Sequence, residues 1–297
     1  MPVEGMPHNE IEQVYGSIKN MMDGWLPKGS YTDDTQLMIG LAESLIECRG
    51  FSGAHMSRQF ISNFEPHRGY GPGTIRVLNN VKEGQGWHEA ASHLYGGGSY
   101  GNGAAMRIAP VGILYYDQPE KLKQVAEVTS RITHAHPLGV EGAVLQATAV
   151  GLAANVDLIE SGTLNKIDFI EQLIAVSTLD EYQTKLDMIK SFITGPKNHT
   201  NNDIISALGV GVQAHKSVPM AIYCFLEKCG SYRDAVCYAV NMGGDTDTIG
   251  AMTGALAGAL HGVRGIPEEW LEDLENSQKG RDHIMKLGED LYDLHIN

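Results

Sequence analysis

The stretch "TDTIGAMTGALAGALHG", Thr246 to Gly262, constrains this chain more than any other. Gly250, Gly254, Gly258 and Gly262 recur at every fourth residue, so on a helix they line one side. Each glycine costs roughly 1 kcal/mol of helix propensity relative to alanine. Such a helix holds only where tertiary packing grips it. The pattern predicts a place in the middle of the fold, with another backbone approaching the glycine stripe. The N-terminus of the helix then lies where its neighbours converge.

Elsewhere the dominant period is also helical. "TQLMIGLAESLIECRG" puts Leu37, Leu41, Ala42, Leu45 and Ile46 on one face and reaches a natural C′ stop at Gly50. "QVAEVTSRITHA", "GAVLQATAVGLAAN", "DFIEQLIAVSTL", "TKLDMIKSFIT", "NDIISALGVGVQA", "PMAIYCFLEKC" and "YRDAVCYAVNM" behave alike. Strand-like alternation is scarce, and linkers such as "TGPKNHTNN" are too short to tether separate units. With 297 residues and 42% hydrophobic content there is material for a large core. One all-α domain over residues 1–297 is the expected architecture.

The formal net charge of −14 argues against DNA or an anionic membrane as a partner, because the overall field repels both. Cys48, Cys224, Cys229 and Cys237 form no Cys-x-x-Cys pair, so free thiols in a reducing compartment are expected, with no disulfide and no zinc. "MPVEGMPHNEIEQVYG" has neither the basic flank and apolar run of a signal peptide nor the Arg/Ser enrichment of a transit peptide. An intracellular, by default cytoplasmic, protein follows, with nucleus and mitochondrion open. The small-residue run Ile249 to Val263 is too short to span a bilayer and carries His261.

Immediately before the glycine-rich helix stand Asp245, Thr246, Asp247 and Thr248. Asp and Thr are favoured N-caps, and one cap would explain one of them. The arrangement occurs twice, however: "YTDDTQL" sets Thr32, Asp33, Asp34 and Thr35 before another helix. If the two helix starts meet, four carboxylates share a small volume and repel unless a cation joins them. Oxygen-only donors point to a hard cation, magnesium before calcium or manganese, and away from zinc.

A third feature is "YGGGSYGNGAAMRIAPVG", Tyr95 to Gly112. A glycine-rich turn entering a helix can aim backbone N–H groups at phosphate oxygens. It has neither a Walker A ending nor a Rossmann fingerprint, and alone it reads equally well as a connector. Beside two acidic clusters it suggests a diphosphate substrate.

The motifs "YTDDTQL", "RGYGPG", "GSYGNGAAMR", "THAHPLGVEGA", "SVPMAIYCFL" and "GGDTDTIG", in this order over nearly the whole chain, resemble those of the ADP-ribosylhydrolases, which include the dinitrogenase-reductase-activating glycohydrolases. "GSYGNGAAMR" looks most like the serine-linked and poly(ADP-ribose) branch. The resemblance implies an all-α fold of roughly orthogonal helices around two magnesium ions. It implies metal ligands at Glu4, Thr32, Asp33, Asp34, Asp245, Asp247 and Thr248, with Glu4, Asp34 and Asp245 in the chemistry. The loop Gly97, Gly98, Ser99, Tyr100, Gly101, Asn102 and Gly103 would hold diphosphate and distal ribose, with Tyr100 beside the adenosine; His134 would contact substrate and Val212 would line the adenosine pocket. As bare residues, a lone histidine near a helix end is usually structural and a valine in an apolar helix is usually core.

The implied partners are ADP-ribose, ADP-ribosylated proteins or poly(ADP-ribose), acted on by a monomer. O-acetyl-ADP-ribose and arginine-linked ADP-ribose stay open as substrates, as does a non-catalytic ADP-ribose reader. The chain departs from the family in beginning at "PVEG", without a preceding "GDALG"-like helix. That departure predicts a cavity and exposed apolar surface beside the neighbours of such a helix, and a free segment around Glu4. An acidic residue four positions from a terminus is ordinarily a solvated side chain.

Overall fold

A computed structural model describes residues 2–156 and 162–297. Among the described residues there are helices and no strands; the only extended pairings are isolated bridges, Pro7 with Gly243 and Gly101 with Gln213. Four helices form the centre: Asp33–Cys48, Pro137–Ala154, Ala214–Lys228 and Thr246–His261. Leu37, Leu41, Leu145, Ala147, Val218, Ile222, Met252 and Leu256, drawn from all four, are sealed from solvent in one apolar cluster. Pro137–Ala154 is long and apolar enough by composition to cross a membrane, but 72% of it is buried inside the protein. It serves as the axis of a core.

The glycine-rich helix does sit inside the fold, with a correction to what covers its stripe. Side chains rather than backbone approach it. A Cβ on Gly250 would lie 3.3 Å from Val240 Cγ2, and one on Gly254 would lie 3.2 Å from the Tyr232 hydroxyl. Both partners belong to the helix Tyr232–Asn241. Gly262 lies beyond the helix end at φ 65°, with open space around it.

Two other segments differ from the sequence pattern. The helix Asp33–Cys48 stops at Arg49, which takes the left-handed conformation at φ 51°, one residue before Gly50. Arg49 N–H donates to Ile46 O and Gly50 N–H to Leu45 O, so the helix is closed without glycine at the turning point. "NDIISALGVGVQA" is only half helical: Asn201–Leu208 ends where Gly209 swings to φ 82°. The following residues form a clasp. Asp245 N–H donates to Val210 O, Asn102 N–H to Val212 O, and Ala214 N–H to Tyr100 O.

The N-terminal segment is also held. Val3 is buried with Ile11 and Ile18 in a small satellite cluster, Gly5 N–H donates to Gly244 O, and Gly244 N–H donates to Met6 O. The free segment expected around Glu4 is therefore anchored on both sides of that residue. Next to it an apolar cavity of about 340 Å³ is lined by Val3, Ile18, Met22, Val236, Val240 and Trp270, among others.

Candidate active site

The clasp and the N-terminal ties bring the two Asp/Thr clusters together. Gly243 and Gly244, at φ 78° and 72°, make the turn into the second cluster. Added Cβ atoms there would meet His8 N at 2.6 Å and Val210 O at 2.1 Å, so only glycine fits. Asp245 then precedes the helix Thr246–His261, as Thr32 precedes Asp33–Cys48.

Neither residue caps its helix. Thr32 and Asp245 make no side-chain cap hydrogen bond. Instead the Thr32 hydroxyl donates to Asp34 Oδ2 at 2.6 Å, and Asn102 Nδ2 donates to Asp245 Oδ2 at 2.5 Å. Asp247 Oδ1 accepts from the Thr248 N–H at 2.9 Å. A cap contributes about 1 kcal/mol, whereas two carboxylates ~4 Å apart repel by about 4 kcal/mol at an effective dielectric near 20. Crowding acids here costs more than capping could return.

Their protonation shows the crowding. Burial first, then the Asp247 charge, pushes Asp33 and Asp245 each up to about 7. Asn102 opposes the rise at Asp245. Asp34 is driven well above the usual carboxylate range by burial, Asp247 and Asp33. Glu4, exposed on one side, is raised too, by partial desolvation and by Asp247. Asp34 Oδ1 is buried without a hydrogen-bond partner, and so is Thr246 Oγ1. Among the described residues no three acid, histidine or cysteine side chains close into a finished cation cage. The donors that do converge include threonine hydroxyls.

The glycine loop is tied to this cluster through Asn102, whose Nδ2 also donates to Ser217 Oγ at 3.0 Å. With its amide hydrogens on Asp245 and Ser217, Asn102 positions a carboxylate and leaves only its carbonyl for a ligand. Gly98 needs to be glycine: at φ 90° its Cβ would lie 2.5 Å from His136 N. Gly97 has no such constraint, with open space around it. The loop also uses more of its own N–H groups than its sequence suggests. Those of Gly97 and Gly98 donate to Leu94 O, that of Gly101 to Ser99 Oγ, and that of Asn102 to Val212 O. The N–H groups of Ser99, Tyr100 and Gly103 have no acceptor among the described residues.

His134 is buried directly behind the loop: a Cβ on Gly103 would lie 2.6 Å from its Cε1 and 3.0 Å from its Nε2. Its Nδ1 is 2.8 Å from Thr133 Oγ1. Burial, with the nearby Arg107 charge, lowers His134 to about 3, so it is a neutral imidazole at any physiological pH. Tyr100 is 45% exposed and meets His136 edge-on at 5.5 Å between ring centroids, with His215 at 6.3 Å. Val212 is 61% exposed on the clasp, not packed in an apolar helix, because Gly209 ends the helix before it.

The structure thus draws Glu4, Thr32, Asp33, Asp34, Asp245, Asp247 and Thr248 into one acidic cluster and ties the loop 97–103 to it through Asn102, with His134 behind the loop and Val212 O accepting from the Asn102 N–H. Sequence reading missed Ser217 and His136, although "SVPMAIYCFL" and "THAHPLGVEGA" contain them, and His215, which lies just before the first of these. It also passed over Arg107, although "GSYGNGAAMR" contains it.

Comparison with known proteins follows the same outline. The family model described as ADP-ribosylglycohydrolase matches residues 1–297. ADP-ribosylhydrolase ARH3 of Homo sapiens is 34% identical over 283 residues, covering 84% of this chain and 76% of that protein. An uncharacterized protein of Archaeoglobus fulgidus is 31% identical over 306 residues, covering 100% of this chain and 92% of its own. Among solved structures, an "ADP-ribosylglycohydrolase-related protein complex" superposes with a TM-score of 0.75 at 25% identity, covering 99% of this chain and 92% of that one. With a family model spanning its whole length and relatives above 30% identity over most of it, this chain belongs to the ADP-ribosylglycohydrolase family and is a glycosidic-bond hydrolase.

Proposed function

We propose that the protein uses magnesium to hydrolyse the O-glycosidic bond joining ADP-ribose to serine or to another ADP-ribose. The observation that carries this reading is the orphaned Oδ1 of buried Asp34 among Asp33, Asp245 and Asp247. A buried carboxylate oxygen without a donor is costly unless a cation or proton meets it. All the neighbouring donors are hard oxygens, which suits magnesium. Thr32, Asp33, Asp34, Asp245, Asp247 and Thr248 would hold two ions, with Glu4 at their edge. When bound, magnesium would supply positive charge to orient the ribose diol and polarise water.

The chain's own groups do the rest. Glu4, whose pKa partial burial and the Asp247 charge raise, takes a proton from the attacking water at its carboxylate. The water oxygen joins the anomeric carbon, the bond to the serine or ribose oxygen breaks, and that oxygen takes up the proton that Glu4 received, directly or through solvent. Asn102 fixes Asp245 through a hydrogen bond and thereby couples loop position to the acidic cluster. Ser99, Tyr100 and Gly103 offer their spare N–H groups to the diphosphate, and neutral His134 offers a donor without adding charge. Exposed Tyr100 and Val212 flank the base.

The reading is supported by the family and by the likeness to ADP-ribosylhydrolase ARH3 over most of the chain. Its test is release of ADP-ribose from serine-modified peptide, poly(ADP-ribose), arginine-modified peptide and O-acetyl-ADP-ribose, each with and without magnesium. Release from the first two, dependent on magnesium, is expected. Release from the arginine linkage alone would reassign the substrate, and tight ADP-ribose binding without any turnover would make the protein a reader.

A further inference from the structure

Arg107 is fully buried, its guanidinium makes no bond to a carboxylate among the described residues, and its Nε has no partner there. Its Nη1 donates to Gly103 O at 3.1 Å and to Thr133 Oγ1 at 2.7 Å; its Nη2 donates to Thr129 O at 3.1 Å. The Phe60 ring lies beneath it, 4.9 Å from the guanidinium carbon to the centroid. An unpaired buried cation is expensive to keep. Two of its three hydrogen bonds go to backbone carbonyls, and the third goes to a side chain, Thr133.

The hydrogen-bond partners of Thr133 indicate what the cation does. Arginine is only a donor, so Thr133 Oγ1 must accept from it. The Thr133 hydroxyl is itself buried, and its one other partner among the described residues is His134 Nδ1 at 2.8 Å. If Nδ1 carried the imidazole proton, the hydroxyl hydrogen would be left buried without an acceptor, a loss of about 1 to 3 kcal/mol. The hydroxyl therefore donates to Nδ1, and the single proton of the neutral ring sits on Nε2. That nitrogen faces the glycines: Cβ atoms built on Gly101 and Gly103 would stand 3.4 and 3.0 Å from it.

We propose that Arg107, acting through the Thr133 hydroxyl, is a positioning residue that locks His134 in the Nε2–H tautomer and so presents a neutral hydrogen-bond donor to whatever the glycine loop holds. The same guanidinium holds Gly103 O, so loop and histidine are set by one group. The identity of the acceptor, an oxygen of ADP-ribose, rests on the function proposed above; the tautomer does not.

Thr133→Val removes the hydroxyl at nearly constant volume, and Thr133→Ser restores it. Imidazole ¹⁵N shifts of His134 in the free protein report the tautomer directly. In the wild type and Thr133→Ser, Nδ1 is expected to be pyridine-like and Nε2 protonated. In Thr133→Val the proton is expected to move partly or wholly to Nδ1, with ADP-ribose affinity lowered roughly tenfold, KM raised to match and kcat within about twofold of wild type. A wild-type Nδ1–H signal, or ¹⁵N shifts unmoved in Thr133→Val, would overturn the relay. An Nε2–H wild type that binds no ADP-ribose would instead overturn the proposed function and leave the tautomer standing. Arg107→Lys, which keeps the charge, is expected to retain the Nε2–H signal if it folds; a folded Arg107→Met that also retains it would count against Arg107 as the organiser.

Discussion

On one side of the glycine loop, Asp33, Asp34, Asp245 and Asp247 concentrate negative charge with no basic side chain bonded to them among the described residues; on the other, Arg107 buries a positive charge with no acid. Adjacent loop residues touch the two sides, Asn102 through Asp245 and Gly103 through its carbonyl to Arg107. The acids respond by rising in pKa and leaving Asp34 Oδ1 unpartnered. The guanidinium instead is solvated by two carbonyls, a hydroxyl and a ring face. On the proposed function, a cation completes the acidic side. The other leaves only Arg107 Nε without a partner among the described residues, and its effect is relayed outward through His134.

The largest effect is expected from removing an acid. Asp34→Ala or Asp247→Ala should lower magnesium-dependent ADP-ribose release by roughly a hundred- to a thousandfold, the scale of several kcal/mol of charge stabilisation. Activity within threefold of wild type in either variant would break the contrast, since the acids would then be a structural accident. Glu4→Gln comes next. It should cost about a hundredfold in kcat while ADP-ribose affinity stays put, because Val3 and Gly5 hold the segment whichever side chain stands at position 4.

A smaller effect concerns stability. Asp33 and Asp245 reach about 7 in the folded protein against an ordinary value of 3.8, so the folded chain retains protons that the unfolded chain has released. Their contribution to metal-free stability therefore declines as pH rises from about 4 through 7. Asp245→Asn, which keeps an acceptor for Asn102, should flatten that decline and melt several degrees higher than wild type at pH 8, at roughly 2 to 4 °C per kcal/mol. Magnesium should raise the melting temperature of the wild type more than that of the variant. Equal melting curves at pH 5 and pH 8 for both proteins would remove the repulsion from the account.

The smallest predicted effect sharpens the other side. Gly103→Ala places a methyl carbon 2.6 Å from His134 Cε1 and should displace the ring, raising KM about tenfold through one weakened hydrogen bond. Gly97→Ala enters open space and should leave KM within about twofold. Indistinguishable kinetics for the two variants would return the loop to a connector.

What was legible in the sequence was local. The helical period and the glycine stripe placed Thr246–His261 in the core, and the paired Asp/Thr motifs stood out because each lies within four consecutive residues. Non-local geometry was hidden. Whether Thr32 and Asp245 cap their helices depends on partners such as Asn102, 143 residues from Asp245. The Arg107–Thr133 contact spans 26 residues and has no spacing signature. The glycine loop looked richer in free N–H groups than it is, because Leu94 O and Val212 O take several of them. The helical period over "NDIISALGVGVQA" runs on past Gly209, where the backbone turns to positive φ, and so hides the exposed clasp that carries Val212.

The most direct test of the central claim, that the two acidic helix starts form one cation site serving hydrolysis of ADP-ribose linkages, is a titration of magnesium against ADP-ribose release from a serine-modified peptide. Wild type and Asp34→Asn/Asp247→Asn are compared at one pH. Saturable activation of the wild type, abolished by chelation and absent from the double variant while it stays folded, is the predicted result. Equal release by both proteins, or release by the wild type that chelation leaves unchanged, would contradict it.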